Sequence, residues 1–174
     1  MKDAQGREIK YLRVSVTDRC NLRCKYCMPN GIECVEHKDI LSFEEIRQIA
    51  VCGARLGITK IRLTGGEPLA RKGCPELIRM LKEIPGIEKI AMTTNGTLVR
   101  AILPELVEAG LDEINISLDT LDAGTFAAIT GQDLLPEVLL AIDAALAAGL
   151  KVKVNAVSMP DTDWKRLITL ADRK

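Results

Sequence analysis

Three cysteines lie close together near the start of the 174-residue chain, in the spacing C-x3-C-x2-C. A structural zinc site normally takes four Cys or His ligands. A cubane iron–sulfur cluster has four irons, so three thiolates leave one iron open to a small molecule. The spacing therefore favours a [4Fe–4S] cluster on Cys20, Cys24 and Cys27. A zinc site completed by Cys34 or His37, and a loop with three incidental cysteines, are the alternatives.

A pair of glycines follows downstream, in Thr64-Gly65-Gly66-Glu67-Pro68. Glycine lacks a Cβ, so this backbone can approach a ligand closely. On its own the pair would indicate an ordinary turn between a strand and a helix. Because the cysteine triplet lies upstream, we expect the pair to belong to the same site.

The chain holds three further cysteines. Cys52 lies beside Val51 in an apolar helical pattern, which predicts core packing. Cys74 is expected at the start of a helix and Cys34 in a loop. A disulfide framework is not expected, because a cytosolic compartment keeps thiols reduced and a domain of this length needs no covalent cross-links.

Strands and helices must position these motifs. Runs rich in Ile, Val and Thr predict five strands, which cover residues 11–17, 59–64, 88–94, 113–118 and 151–157. Helical patterns fill the gaps between capping residues, Pro and Gly, and cover about 42–56, 75–84, 98–109, 136–148 and 163–172. Strands that alternate with helices imply right-handed crossovers and a parallel sheet. The cysteine loop then follows the first strand, at the carboxyl edge where such folds place their chemistry.

The predicted strands alternate apolar and polar side chains, so one face of the sheet is apolar and the other polar. An antiparallel sheet with one solvated face would also show this pattern, but the helical crossovers argue against it. We therefore predict an α/β fold, an incomplete TIM-like barrel with helices outside and a polar interior. Three cations on the inner face favour an anionic substrate such as a phosphate ester or nucleotide; they are Arg13, Arg62 and Lys153.

Composition narrows the class of protein further. With 24 Lys and Arg against 24 Asp and Glu, and few aromatic residues, the chain lacks the basic, aromatic surface of nucleic-acid binders. No apolar run is long enough to span a bilayer, and the polar start shows no signal-peptide core. We expect a cytoplasmic protein with no membrane partner, and one domain over residues 1–174 because no linker or repeat is visible.

The cysteine triplet, with Tyr26 before its last cysteine, resembles the cluster motif of the radical S-adenosylmethionine superfamily. The resemblance implies a [4Fe–4S] cluster whose open iron binds the amino and carboxylate groups of S-adenosylmethionine. Reductive cleavage of this cofactor would give a 5′-deoxyadenosyl radical. The residues that the resemblance places at the cofactor are Tyr26, Gly65, Gly66, Glu67, Pro68 and Ser117.

Longer stretches resemble the GTP 3′,8-cyclase family of molybdenum cofactor biosynthesis; they are residues 12–21, 27–29, 60–69, 93–96, 116–119 and 152–155. The resemblance implies a lyase in which the radical takes hydrogen from C3′ of GTP and the ribose carbon attacks C8 of guanine. It places GTP at Arg13, Arg62, Thr93 and Lys153, all on the polar face expected from the strand pattern. It also implies a reductant such as flavodoxin or ferredoxin.

The resemblance runs from about residue 11 to the end of the chain, whereas members of the family are longer and carry three C-terminal cysteines for a second cluster. The sequence therefore resembles the N-terminal portion of a radical SAM core. Five strands would leave the fifth without an outer neighbour, and a missing C-terminal region or a homodimer partner would cover that edge. A non-catalytic iron–sulfur or zinc remnant, and a radical SAM enzyme with another substrate, are the alternatives.

Overall fold

The computed structural model describes residues 2–27, 31, 35–36, 39–159 and 162–172. The candidate zinc ligands Cys34 and His37 lie outside the described residues. So do Met28 and Pro29 of the family motif.

The described residues form one sheet of five parallel strands in chain order: β1 (Tyr11–Ser15), β2 (Lys60–Thr64), β3 (Lys89–Thr94), β4 (Glu113–Ser117) and β5 (Lys151–Asn155). Each strand lies within its predicted range. The parallel pairing confirms the predicted sheet, and the antiparallel alternative is wrong. Within the described part of the chain, β1 and β5 are the two edge strands.

The described residues also form six α-helices: α1 (Phe43–Arg55), α2 (Cys74–Lys82), α3 (Val99–Glu108), α4 (Ala123–Thr130), α5 (Leu135–Ala147) and α6 (Trp164–Asp172). At the start of α1, Ser42 Oγ accepts a hydrogen bond from the Glu45 N–H, and the Glu45 carboxylate accepts one from the Ser42 N–H. This is the capping box that the sequence predicts. Helix α4 has no counterpart in the sequence prediction, because its small and apolar residues show no one-sided pattern.

The helices pack against the apolar face of the sheet and form the core with it. Strand residues such as Ile61, Met92 and Ile114 are fully buried there, together with Leu77 of α2 and Val138 of α5. Burial of each such side chain stabilises the fold by about 1.5–3 kcal/mol. The apolar side chains of the strands are thus used for packing against the helices, and the polar side chains on the other face are available to form a site.

The opposite, polar face of the sheet is concave. Lys60 on β2 and Glu113 on β4 belong to strands that are not neighbours, yet Lys60 Nζ lies 2.6 Å from Glu113 Oε2. Between them, β3 contributes the fully buried Ala91, whose register partners are Arg62 and Glu113. The small side chain of Ala91 leaves room for the flanking side chains to meet. The predicted curved sheet with a polar inner face is confirmed.

The two cysteines that lie outside the triplet in the described ranges differ in environment. Cys74 begins α2 as predicted and is buried. Cys52 is exposed, so its predicted core packing is wrong. The buried residues of α1 are Ile46 and Ala50 on one face, and a residue two positions after Ala50 points about 200° around the helix axis.

None of the helices in the described ranges is by itself both long and apolar enough to cross a membrane. Helices α4 and α5 have the necessary length and composition only as a pair, and they are bent by 100° where they meet.

Candidate functional site

A cavity of about 270 Å³ opens at the carboxyl edge of the sheet, on its polar side. Its walls come from the cysteine loop after β1 and from the ends of the following strands. Nine of the predicted site residues line it: Arg13, Cys20, Cys24, Tyr26, Cys27, Gly65, Gly66, Thr93 and Ser117. Motifs that are far apart in the sequence therefore meet in one cavity.

The three cysteines of the triplet are free thiols on the cavity wall. Cys20 and Cys24 are partly buried and Cys27 is exposed. Burial raises the pKa of the Cys24 thiol to about 11, and negative charge on Cys20, Asp119 and Cys27 adds to the shift. Such a thiol is protonated at neutral pH, so it becomes a ligand when a metal replaces its proton.

In the described part of the chain, no three His, Cys, Asp or Glu side chains are grouped tightly enough to hold one metal ion. A cubane cluster makes a different demand, because each thiolate binds a separate iron. Soft sulfur donors suit iron–sulfur clusters, and three free thiols around one cavity match the number that leaves a single iron open. The donor set therefore fits a [4Fe–4S] cluster.

The glycine pair packs against the segment that precedes the first cysteine. Gly66 donates its N–H to Thr17 O at 2.7 Å, and Glu67 donates its N–H to Arg19 O at 2.7 Å. A Cβ on Gly66 would lie 2.3 Å from Arg19 O, and one on Gly65 would lie 2.4 Å from Thr17 O. The sequence suggested that the glycines permit close approach to a ligand. The structure gives a second reason, which is close contact between two loops of the chain itself.

Glu67 and Pro68 are buried, and neither is part of the cavity wall that the described residues form. The Glu67 carboxylate accepts hydrogen bonds from Leu69 N–H at 3.0 Å, Thr94 Oγ1–H at 2.8 Å and Asn95 N–H at 2.7 Å. Burial raises the pKa of this carboxyl, although the three hydrogen bonds oppose the shift. Glu67 thus joins the glycine-pair loop to the end of β3.

A network of side chains surrounds the first cysteine. Asn95 Nδ2 donates to Asn21 Oδ1 at 2.8 Å and to Cys20 Sγ at 3.8 Å. Asn21 Nδ2 donates to Thr97 Oγ1 at 2.8 Å, and Thr97 donates its N–H and its hydroxyl to Asn95 Oδ1. The Leu22 N–H donates to the same sulfur at 3.4 Å. These residues fix the position of Cys20 relative to the end of β3.

Tyr26 connects the cysteine loop to the ends of β4 and β5, through Asp119. Its hydroxyl donates to Asp119 Oδ2 at 2.6 Å, and Asp119 Oδ1 accepts the Val157 N–H at 2.8 Å. Burial raises the pKa of Tyr26, and the hydrogen bond to Asp119 raises it further. Tyr26 therefore remains a neutral donor, and one carboxylate joins the loop to the ends of β4 and β5.

The unpredicted helix α4 also contacts the cysteine loop. Arg23 donates its N–H to Thr130 O at 2.9 Å, and Lys25 donates its N–H to Ile129 O at 3.0 Å. Gln132 Nε2 donates to the carbonyl of Asn21 at 2.8 Å. Main-chain contacts from the end of α4 thus complete the support of this loop.

Both of the predicted substrate-binding arginines lie on the inner face of the sheet, Arg13 on β1 and Arg62 on β2. Arg13 lines the cavity and donates from Nε to Thr64 Oγ1 at 3.3 Å. The guanidinium carbon of Arg62 lies 5.6 Å from the centre of the Tyr11 ring. Arg62 Nε is buried and has no hydrogen-bond partner among the described residues. A buried donor without a partner destabilises the fold unless a polar ligand binds to it.

The other two predicted substrate-binding residues, Thr93 and Lys153, flank Asn115 in the register of β3, β4 and β5. Thr93 lines the cavity, whereas Lys153 is exposed on the edge strand and is absent from the described cavity wall. Asn115 is 4% exposed, and its Oδ1 finds no hydrogen-bond donor in the described part of the chain. The strand alternation places Asn115 on the polar face, but it gave no reason to single it out.

The residues that support the thiols were also missed. Both lie at the carboxyl edge of the sheet: Asn95 directly follows β3, and Asp119 is the second residue after β4. Their signals in the sequence were that position and their place in the family-like stretches 93–96 and 116–119, and neither signal gave them a role. Their partners could not be found from spacing, because Asn21 and Tyr26 lie more than 70 positions earlier in the chain.

Fold and site together define the class of the protein as a parallel βα barrel with a thiol-lined cavity at the carboxyl edge of its strands. The model of the Radical SAM superfamily matches residues 14–173. The chain belongs to this superfamily.

Two curated relatives are GTP 3′,8-cyclases. The one from Erythrobacter litoralis is 51% identical over 172 residues, which are 98% of this chain and 52% of the relative. The one from Thermodesulfovibrio yellowstonii is 54% identical over 162 residues, which are 91% of this chain and 50% of the relative. The chain thus spans about half the length of the curated relatives it matches. This confirms its similarity to the N-terminal portion of these enzymes.

Among solved structures, Streptococcus suis SuiB bound to S-adenosylmethionine superimposes with a TM-score of 0.71 at 22% identity, over 94% of this chain and 35% of that one. This likeness confirms the predicted fold, an incomplete TIM-like barrel. The radical SAM superfamily uses a [4Fe–4S] cluster and S-adenosylmethionine, so the predicted cofactors are confirmed at the level of the family.

Proposed function

We propose that this chain is the radical-generating core of a GTP 3′,8-cyclase, in which C3′ of GTP loses hydrogen and bonds to C8 of guanine. The observation that carries the proposal is the convergence of three free thiols, a glycine-pair loop and two inner-face residues, Arg13 and Thr93, on one cavity. About 50% identity to enzymes of this name supports the choice of substrate.

Cys20, Cys24 and Cys27 would hold the cluster, and S-adenosylmethionine would lie beside them against Gly65, Gly66, Tyr26 and Ser117. When bound, the reduced cluster would supply the one electron that cleaves S-adenosylmethionine into methionine and a 5′-deoxyadenosyl radical. Tyr26 keeps its proton and orients the loop through Asp119. Glu67 would fix the glycine-pair loop through its hydrogen bonds to Leu69, Thr94 and Asn95, and the buried Pro68 would continue that loop.

Arg13, Arg62, Thr93 and Lys153 would bind GTP along the concave face. Guanidinium and ammonium groups neutralise a triphosphate and hold it in a defined orientation. Arg62 Nε and Asn115 Oδ1, which are buried and have no hydrogen-bond partner among the described residues, offer a donor and an acceptor on the same face. Arg13 and Thr93 line the same cavity as the thiols, so a substrate bound there would be held in a fixed orientation close to the radical source, which favours hydrogen transfer over side reactions with solvent.

Residues 1–174 would act as one core domain of a cytoplasmic enzyme, reduced by a flavodoxin- or ferredoxin-like donor. The open edge of β5 would be covered by a further region of a longer chain or by a second copy.

Anaerobic reconstitution with iron and sulfide tests the proposal. We expect a cluster signal in electron paramagnetic resonance that changes when S-adenosylmethionine is added, and formation of 5′-deoxyadenosine under reducing conditions. A product assay with GTP then tests the substrate. Stoichiometric zinc with no response to S-adenosylmethionine would contradict the proposal, and 5′-deoxyadenosine without any GTP-derived product would restrict it to the radical-generating step.

A further inference from the structure

Asn95 lies directly after β3, on the wall of the thiol-lined cavity. A side-chain amide carries two N–H donors on one nitrogen. Here one of them serves Asn21 Oδ1, at 2.8 Å, and the other serves Cys20 Sγ, at 3.8 Å. Cys20 is one of the three proposed cluster ligands, so Asn95 contacts a ligand without being one.

The orientation of the Asn95 amide follows from its neighbours. The Thr97 N–H, which can only donate, lies 3.0 Å from one amide atom of Asn95, so that atom is the oxygen. The nitrogen therefore faces Cys20. The backbone is fixed as well, because the Asn95 N–H donates to the buried Glu67 carboxylate at 2.7 Å.

We propose that Asn95 is a positioning residue that donates a hydrogen bond to the Cys20 thiolate and thereby makes the bound cluster easier to reduce. The inference rests on the proposed function, since it requires a cluster on the triplet. Reduction adds negative charge to a cluster, and hydrogen bonds to its sulfurs are among the factors that set its potential. The Leu22 N–H supplies a second donor to the same sulfur, at 3.4 Å, which no side-chain substitution removes.

The 174-residue chain, reconstituted anaerobically with iron and sulfide, is the material for the test, and a redox titration followed by electron paramagnetic resonance is the measurement. In Asn95→Leu, which keeps the branched shape without a donor, we expect about a tenfold lower ratio of reduced to oxidised cluster at a given potential. This equals a shift of about 59 mV to more negative values.

Thr97→Val is the matched control. Thr97 contacts Asn95 and Asn21 but does not touch the sulfur, so its loss disturbs the network and leaves the donor in place. We expect its ratio to stay within about twofold of the parent chain. If Asn95→Leu assembles no cluster, Asn95→Asp replaces it, because this variant keeps the shape, lacks the donor and must shift the potential in the same direction.

An unchanged potential in the Asn95 variants would overturn the inference, and so would an equal shift in Thr97→Val. Failure of the parent chain to bind any cluster would instead refute the proposed function, and this inference with it.

Discussion

Cys24 is the middle thiol of the triplet, and its proton must leave before a metal can bind. In Cys24→Ala only two of the three thiolates remain, and we expect cluster binding and 5′-deoxyadenosine formation to be lost together. Iron and sulfide content after reconstitution, and product by chromatography, measure the two effects.

Cys52→Ala is the control for this experiment, because Cys52 is an exposed thiol on α1 away from the cavity. It should bind cluster as the parent chain does. Retention of either the cluster or the cleavage reaction in Cys24→Ala would contradict the assignment of this cysteine as a ligand.

Arg13 is the arginine that lines the cavity directly. Hydrogen bonds to charged groups contribute about 1.5–3 kcal/mol, so Arg13→Ala should weaken GTP binding about tenfold or more. The GTP concentration that gives half-maximal binding or turnover measures the effect, and cluster absorbance should survive. Arg79→Ala removes an arginine that pairs with Glu76 on the surface of α2, and it should leave GTP binding unchanged. Equal affinities in the two variants would argue against a phosphate role for Arg13.

At the scale of the elements, the glycine-pair loop and the segment before Cys20 are in close backbone contact. In Gly66→Ala the new Cβ would collide with the carbonyl oxygens of Asp18 and Arg19, at 2.6 and 2.3 Å. Overpacking of this kind costs about 1–3 kcal/mol, so we expect a lower melting temperature and less iron per chain after reconstitution.

Gly124→Ala is a matched change in α4, where the added Cβ meets only Asp122 Oδ1 at 3.5 Å. Alanine is favoured over glycine in a helix by about 1 kcal/mol, so this variant should be as stable as the parent chain or more so. If Gly66→Ala also bound a full complement of iron at an unchanged melting temperature, the two loops would not need their close contact.

Glu113 connects non-adjacent strands across the concave face. Burial raises the pKa of its carboxyl, but Lys60, assisted by Lys151 and Lys153, lowers it more, so the net pKa is below its usual range. A depressed native pKa stabilises the fold above the unfolded pKa of about 4.3. This contribution is lost as the pH falls through the native pKa.

Glu113→Gln should therefore lower the free energy of unfolding by about 1.5–3 kcal/mol near neutral pH. The difference from the parent chain should shrink in acid. Urea unfolding across this pH range measures both. Glu137→Gln breaks the half-exposed pair with Arg100 and should change stability by less than about 1 kcal/mol. A pH-independent difference for Glu113→Gln would exclude the charge as its cause.

The strands, and the meeting of the three thiols at one cavity, could be predicted because their signals are local. The alternation of apolar and polar residues in β2 and β4 shows that the sheet has an apolar and a polar face, without knowledge of what packs on either face. The spacing of the three cysteines can be recognised without reference to any other part of the chain. Helix α4 could not be predicted, because it is short and its place is fixed by hydrogen bonds to Arg23 and Lys25. The contacts of Asn95 and Asp119 depend on which strand ends lie next to each other, and this is determined only when the sheet has folded.

At the scale of the whole molecule, the sheet has two open edges within the described residues. An exposed apolar side chain, Val157, lies two residues after the end of β5. Amides without a strand partner exchange hydrogen faster than those in the centre of a sheet. We expect β3 amides to exchange most slowly, and the outward amides of β1 and β5 to exchange much faster.

Hydrogen exchange followed by mass spectrometry over a dilution series would measure this. Protection of β5 that rises with concentration would indicate that a second copy covers the edge. Protection of β5 equal to that of β3 at every concentration would contradict the expectation of an open edge.

The cysteine loop is hydrogen-bonded to the glycine-pair loop, to the end of β3, to Asp119 and to the end of α4. All these bonds run between parts of the chain, so we expect them to hold the loop in place when iron is removed. Air that strips the iron should therefore cause reversible damage, repaired by fresh iron and sulfide without refolding. The limit to repair is oxidation of the exposed Cys27 thiol beyond the sulfenic state, which is irreversible.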